Sequence, residues 1–378
     1  MSPLSRLRHV LPTSCSTLSS LHRTPCYAIT RQASTKVAAT FSDQSKPTNS
    51  IYVSLSNDPY FNLSFEDWLF RHAPHTRPLL LLYRDTPCVI IGRNQNPWTE
   101  VNFPALQATG IPFIRRRSGG GTDLGNTNFS IHVPRTTFDR TMTAQIVLRA
   151  VRALGIPSAD VNTRNDITVA GEKVSGSAYK IANNRAYHHG TMLISTRLDT
   201  LGALLRPDKV CEGIQTKGVA SVRSPVCNLA KVNAETTHDA FVQAVVDEFR
   251  REYGMDEDVQ YVDDGAKTQL DYVRKGMEEL PSWDWAYGQT PEFTHDLAHS
   301  FSWGAVSATI SSKHGRIISC AFTPARGGDA DLSRELSALS ERLVGAKYGF
   351  LQKELETDKQ EDVRAREVAS WLKEKLNL

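Results

Sequence analysis

Cysteine is scarce and unpatterned. The six residues Cys15, Cys26, Cys88, Cys211, Cys227 and Cys320 form no C-x-x-C pair, and no histidines stand at zinc-finger spacing, which excludes a disulfide framework or a structural zinc and fits a reducing compartment. Long apolar runs are missing too. No stretch approaches the roughly 20 residues that a membrane helix needs, so the chain is not expected to span a membrane. Charge of one sign is missing: 44 Lys and Arg oppose 41 Asp and Glu, for a net charge of +3. Part of that excess sits near the N-terminus, so the remainder is near neutral and carries no general footprint for nucleic acid.

Acidic residues are absent before Asp43, while Arg6, Arg8, Arg23, Arg31 and Lys36 are scattered among Ser and Thr. That is the composition of a mitochondrial transit peptide over residues 1–35, with cleavage expected between Arg31 and Thr35 and delivery to the matrix. A disordered basic tail would have the same composition.

At 378 residues the chain exceeds one ordinary core, and two domains are expected, 50–255 and 268–378, joined across the polar stretch 256–267. Ile51 to Leu55 reads as a strand and Asn62 to Phe70 as an amphipathic helix. Leu79 to Tyr83 and Val89 to Gly92, separated by Asp85-Thr86-Pro87, read as a hairpin. Helices are expected over 143–154 and 239–253. Short strands are expected over 166–169 and 173–176, around the turn Ala170-Gly171-Glu172, and over 185–195. Towards the C-terminus, a hairpin is expected around Lys313-His314-Gly315. Leu332, Leu336, Leu339 and Leu343 recur at helical spacing, and 361–376 reads as a closing helix.

The least ordinary stretch is Arg115-Arg116-Arg117-Ser118-Gly119-Gly120-Gly121-Thr122. Arginines running into glycines put cationic donors beside open backbone N–H groups, which suits phosphate oxygens, although the spacing is neither a P-loop nor G-x-G-x-x-G. A mobile turn with a solvated basic face is the ordinary alternative. Lys173 lies in Gly171-Glu172-Lys173-Val174-Ser175-Gly176-Ser177-Ala178-Tyr179, where small residues would let a ligand lie against the backbone. Adjacent residues on a strand face opposite ways, so His188 and His189 are not expected to chelate one ion; one should be structural and the other near the site. Cys88, inside Pro87-Cys88-Val89-Ile90-Ile91, reads as a small core residue.

Several separated stretches together resemble the lipoate-protein ligase A and lipoyltransferase family. They are Gly92 to Trp98, Arg116 to Ser130, Asn165-Asp166 with Lys173 to Tyr179 and His188 to Thr191, Lys217 to Ser224, and Trp283 to Gln289. The resemblance implies an α+β fold: a mixed-sheet catalytic domain similar to biotin protein ligase and class II synthetases, followed by a small α+β C-terminal domain. It implies ATP contacts at Arg116, Gly119, Gly120, Gly121, Thr122, Asp166 and Lys173, and lipoate contacts at Ser118, Gly121, Lys173 and His188. Lys173 would be catalytic and Asp166 a handle for Mg²⁺. The activity implied is formation of lipoyl-AMP from lipoate and ATP, then transfer to a lysine of a lipoyl domain in a 2-oxoacid dehydrogenase complex or the glycine cleavage system. An apolar slot suits the lipoyl chain, whose four methylenes are worth roughly 3 kcal/mol on burial, and strand residues such as Ile90 could line it.

One departure stands out. The family's glycine loop continues through a small residue, two apolar residues and a histidine before Asp-Leu-Gly-Asn, whereas here Thr122 is followed directly by Asp123, three residues sooner. A transferase that uses preformed lipoyl-nucleotide or a lipoyl-carrier, or a relative that binds lipoate or the carrier without catalysis, is therefore the competing expectation. An octanoyltransferase with a thiol nucleophile is disfavoured, because the matching stretches that bear the site contain no cysteine.

Overall fold

The computed structural model describes residues 36–378 apart from 43, 120–122, 125–126, 206–211, 266–267, 326–329, 359 and 377–378. The expected transit segment 1–35 and the expected ligands Gly120, Gly121 and Thr122 therefore lie outside the described residues.

In chain order the first elements are β1 (Phe41–Ser42), β2 (Ile51–Ser54), α1 (Pro59–His72), β3 (Leu79–Arg84), β4 (Val89–Ile91), α2 (Pro97–Glu100) and α3 (Phe103–Thr109). Next come β5 (Phe113–Arg115), β6 (Asp123–Leu124), β7 (Thr127–Pro134), α4 (Arg140–Ala153), β8 (Ala159–Val161), β9 (Ile167–Val169), β10 (Glu172–Lys173), β11 (Ser175–Ala182) and β12 (Arg185–Met192). The middle of the chain adds α5 (Leu198–Leu204), β13 (Ile214–Thr216), α6 (Leu229–Val232), α7 (His238–Tyr253), β14 (Gln260–Val262), β15 (Thr268–Gln269), α8 (Asp271–Glu279) and α9 (Trp283–Ala286). Last are β16 (Phe293–Phe301), β17 (Gly304–Lys313), β18 (Arg316–Pro324), α10 (Ala330–Leu343) and α11 (Val363–Leu376).

The principal sheet has the order β11-β12-β7-β3-β2-β14, antiparallel from β11 to β3 and parallel from β3 to β14. This is the mixed sheet expected of an α+β fold. Its centre explains the unbroken Leu79-Leu80-Leu81-Leu82: a strand covered on both faces shows no polar alternation. Leu80 and Leu82 pack with Val147 of α4 and Val245 of α7, while Leu79, Leu81 and Tyr83 pack with Phe65 and Leu69 of α1. Asp58 caps α1, its carboxylate accepting from the Tyr60 and Phe61 amides, and Pro59 opens the helix with its φ already set.

The hairpin expected around Asp85-Thr86-Pro87 does not form. Both edges of β3 are taken, by β7 and β2, and β4 instead joins a small sheet of order β5-β4-β6. The polar stretch 256–267 also differs from a bare linker, since it holds β14, the parallel edge strand against β2. β14 is three residues long, so most of this stretch is loop around it, which accounts for its polar composition.

The C-terminal sheet, β13-β16-β17-β18, is antiparallel. His314 and Gly315 both adopt positive φ at the expected tight turn, and Leu332, Leu336, Leu339 and Leu343 are all buried. Its core runs on through Trp371 and Leu372 of α11 to Trp98 of α2, Phe103 of α3 and Val89 of β4.

At the N-terminal side, Phe41 sets its ring against Phe65 at 5.9 Å and Trp68 at 5.7 Å, and Ala38 bridges to Tyr261. Phe41→Ala is expected to cost about 3 kcal/mol in urea unfolding, as removal of a buried aromatic ring does. A loss below about 1 kcal/mol would mean that this segment is not anchored.

Candidate active site

Lys173 stands where the chain changes sheets. Val169, Ala170, Gly171 and Glu172 make a two-residue turn in which Ala170 and Gly171 take positive φ, and after Val174 the strand crosses from the β8–β10 sheet into β11. Both backbone groups of Lys173 are tied to the stretch that follows Lys217. Its N–H donates to the Pro225 carbonyl at 2.8 Å, and its carbonyl accepts from the Cys227 N–H at 3.1 Å. The side chain turns to Asp166, with Nζ 3.1 Å from Oδ1.

Asp166 is placed by its own loop. Asn162 Oδ1 accepts the Asp166 N–H at 3.0 Å, and Asn165 before it takes φ 62°, a conformation that asparagine tolerates well. The Asn165 carbonyl accepts from Ser177 Oγ at 3.2 Å, which joins this loop to β11. Among the described residues no group of three or more His, Cys, Asp or Glu side chains could hold a metal. A single carboxylate working with phosphate oxygens is nevertheless a usual arrangement for Mg²⁺, and Asp166 fits that donor set.

His188 and His189 do point to opposite faces. His188 is 1% exposed, with Nδ1 2.9 Å from Thr143 Oγ1 and Nε2 3.0 Å from Ser177 Oγ. Both hydroxyls also donate to backbone carbonyls, Ser177 to Asn165 and Thr143 to Asp139 and Arg140, so the ring is held between two oriented side chains. His188 thus supports Ser177 from behind. Burial, with His189 and Arg140 nearby, pushes its pKa down to about 3. The unfolded chain therefore binds this proton at a higher pH than the folded one, so stability should be fully present above about 6.5 and lost as pH falls towards 3. Urea titrations across that range check the sign, with His188→Asn expected to flatten the slope.

His189 instead meets Glu66 of α1, Nδ1 to Oε1 at 2.8 Å, beside Tyr83. Gly190 completes the pattern for a steric reason: a Cβ there would lie 2.1 Å from the Phe129 ring, which is itself buried. Gly190→Ala is expected to destabilise the fold by about 2 kcal/mol through overpacking, read as a lower urea midpoint at constant m.

The three consecutive arginines are not a solvated face. Arg115 is fully buried and donates to the Arg93 carbonyl at 2.7 Å, the Gln95 carbonyl at 2.8 Å, the Ala286 carbonyl at 2.8 Å and Thr290 Oγ1 at 2.9 Å. Arg116 folds back on its own loop, with Nη2 2.9 Å from the Gly119 carbonyl. Arg117 reaches Asp67 and Glu279. Gly119 comes up to β11, where a Cβ would lie 3.6 Å from the Tyr179 carbonyl, and the buried Ser118 accepts the Arg93 N–H at 2.9 Å. Ile90 is buried with Leu63, Cys88, Ile114 and Trp285.

The stretches that matched separately in sequence are joined here. Val219 N–H donates to the Asn94 carbonyl at 3.0 Å, Gln95 Nε2 to Ser221 Oγ at 3.0 Å, and Trp285 Nε1 to the Arg115 carbonyl at 2.8 Å. Sequence reasoning missed Glu66 and Asp67. Two acids within the apolar run Asn62 to Phe70 were the available signal, since buried carboxylates need partners.

The family described as the lipoyl protein ligase A/B catalytic domain matches residues 58–250. A lipoate-protein ligase A of Psychrobacter cryohalolentis is 36% identical over 275 residues, covering 71% of this chain and 80% of that protein. Among solved structures, Plasmodium falciparum LipL1 in complex with lipoate superposes with a TM-score of 0.56 at 25% identity, covering 85% of this chain and 98% of that one. A bipartite lipoate protein ligase from Thermoplasma acidophilum, described with its E2 lipoyl domain, shares the fold at a TM-score of 0.50 and 22% identity, covering 64% of this chain and 96% of that one. The chain belongs to the lipoate-protein ligase family of enzymes.

Proposed function

We propose that the chain joins lipoate to ATP as lipoyl-adenylate and transfers the lipoyl group to a lysine of a lipoyl carrier domain. The observation that carries this reading is the placement of Lys173. A fixed cation paired with Asp166 stands at the junction of β10, β11 and the 217–226 stretch, while Gly119 of the Arg-Gly loop closes on the same β11.

In the first step a lipoate carboxylate oxygen attacks the α-phosphorus and the bond to pyrophosphate breaks. Two anions must be brought together, and Lys173 with Arg116 supplies preorganised positive charge for both. Magnesium held by Asp166 and phosphate oxygens would neutralise the leaving pyrophosphate. In the second step the neutral acceptor amine attacks the acyl carbon, the bond to AMP breaks, an amide forms and the amine gives up a proton. Ser118 and the backbone of β11, supported by His188, would lie along the lipoyl chain, with Gly119 to Thr122 around the phosphates. We assign catalysis to 50–255, an accessory role to 268–378, and carriers among the 2-oxoacid dehydrogenase and glycine cleavage lipoyl domains. The basic segment 1–35 supports delivery to the mitochondrial matrix.

The junction of Thr122 with Asp123 favours a second reading, transfer from preformed lipoyl-adenylate without activation of free lipoate. Activation also needs the triphosphate held in line, so a shorter loop damages that step first. Pyrophosphate release from lipoate and ATP, set against transfer from synthetic lipoyl-adenylate, separates the two. Inserting Val-Phe-His after Thr122 should raise activation selectively if the second reading holds, and change neither rate if the first does.

A further inference from the structure

A buried ion cluster meets the Arg-Gly loop at Arg117, and the chemistry above does not use it. Its centre is Asp67 of α1, whose side chain is 1% exposed. Lys180 Nζ donates to Oδ1 at 2.6 Å, while Arg71 Nε at 2.7 Å and Tyr272 Oη at 2.5 Å donate to Oδ2. Arg117 Nε lies 3.7 Å from the same Oδ2, and its guanidinium bonds Glu279 of α8 and stands 4.6 Å from the centre of the Trp285 ring. Burial opposes the charge on Asp67, but Lys180, Tyr272 and Arg71 more than offset it and hold the carboxyl at about 2, so the centre stays ionised.

Such a cluster is a poor device for stability alone, because desolvating several charges cancels much of their attraction and apolar replacements often match it. Its members point to a different use. Lys180 directly follows Tyr179, whose carbonyl faces Gly119, and Arg117 directly follows Arg116, whose guanidinium holds the Gly119 carbonyl. Asp67 therefore bonds Lys180 of β11 directly and faces Arg117 of the Arg-Gly loop across 3.7 Å, so one carboxylate stands between the two segments that meet at Gly119.

We propose that Arg117, anchored by Asp67 and Glu279, is a positioning residue that fixes the Arg116 to Gly119 backbone against β11 and so sets affinity for the nucleotide. The nucleotide part rests on the proposed function; the anchoring part does not. Arg117 touches no reacting atom. It acts through its neighbours Arg116 and Ser118; its guanidinium is hydrogen-bonded to Glu279 and faces the charge of Asp67 from 3.7 Å.

The test uses the full chain with Arg117→Met, which keeps an unbranched stem over Trp285 and removes the fork. Native-state hydrogen exchange is read first, without ligand. The Arg93 amide, which donates to the Ser118 carbonyl, should exchange about 10-fold faster, while amides of α4 and α7 stay within about 3-fold of wild type. With lipoate and a carrier domain, KM for ATP should rise about 10-fold while kcat changes by less than about 3-fold. Arg117→Lys should recover part of both effects, because a point charge can still reach Asp67 but cannot also fork to Glu279. If Arg117→Met does not fold, Glu279→Gln loosens the same grip from the surface and should raise Arg93 exchange about 3-fold. Unchanged Arg93 exchange, or acceleration spread evenly over α4 and α7, would overturn the anchor. Faster Arg93 exchange in a chain whose wild type consumes no ATP would uphold the anchor and sink the proposed function instead.

Discussion

Lys173→Ala is expected to lower lipoylation of a carrier domain by two to three orders of magnitude, roughly what loss of one preorganised charge at a developing anion costs, while the chain still folds. The structure adds a stability effect that an exposed lysine would not have. Asp166 is buried, and among the described residues its carboxylate without Nζ keeps only the side chain of Asn162, 3.4 Å away, so a loss of about 1 to 2 kcal/mol in unfolding free energy should accompany the lost activity. Lys173→Arg should not restore turnover, because a planar fork cannot take the place of a compact point charge at the crossing from β10 to β11. Carrier lipoylation and urea unfolding of the same preparations test both halves. Near-normal turnover in the alanine variant would mean that the reacting atoms lie elsewhere.

The second large effect concerns folding. Arg115→Met should cost more than about 4 kcal/mol and leave little soluble protein, because it deletes donors to several buried or half-buried carbonyls without supplying others. Those carbonyls belong to distant parts of the chain: Arg93 and Gln95 in the loop before α2, and Ala286 at the end of α9. Removal of Arg115 therefore unties the C-terminal part from the loop that also receives Val219 and Ser221. Expression, solubility and the urea midpoint of whatever remains soluble give the measurement. A stable, soluble methionine variant would show that apolar packing alone fills this site.

Local pattern made part of this fold legible. The helical spacing of Leu332 to Leu343, the turn at His314-Gly315 and the aromatic run from Phe61 to Trp68 each carry their periodicity within a few residues. The central strands do not. Leu79 to Leu82 is apolar throughout because α1 covers one face and α4 and α7 the other, so no alternation could reveal whether β3 pairs with β4 or with β2 and β7. The polar stretch 256–267 reads as linker for the converse reason, since the three residues of β14 are too few to show an apolar pattern.

The site was legible as residues but not as an arrangement. Lys173, Asp166 and the Arg-Gly stretch were identifiable because their types and order recur as a set. The separate destinations of Arg115, Arg116 and Arg117 depend on partners far away in sequence, Ala286 lying 171 positions from Arg115 and Glu279 lying 162 from Arg117. His188 illustrates the same limit. Its position on β12 was visible, but that both ring nitrogens serve Thr143 and Ser177 follows only from the packing of α4 and β11 against it.

The central claim is that these residues activate a free carboxylate as well as transfer it. The most direct test incubates the full chain with ATP, magnesium, free lipoate and an unmodified lipoyl domain, and follows pyrophosphate and the mass of the domain together. The account predicts pyrophosphate release that requires lipoate, and one lipoyl group on the carrier for each pyrophosphate in the steady state. A carrier that becomes lipoylated from synthetic lipoyl-adenylate but never from lipoate and ATP would contradict it.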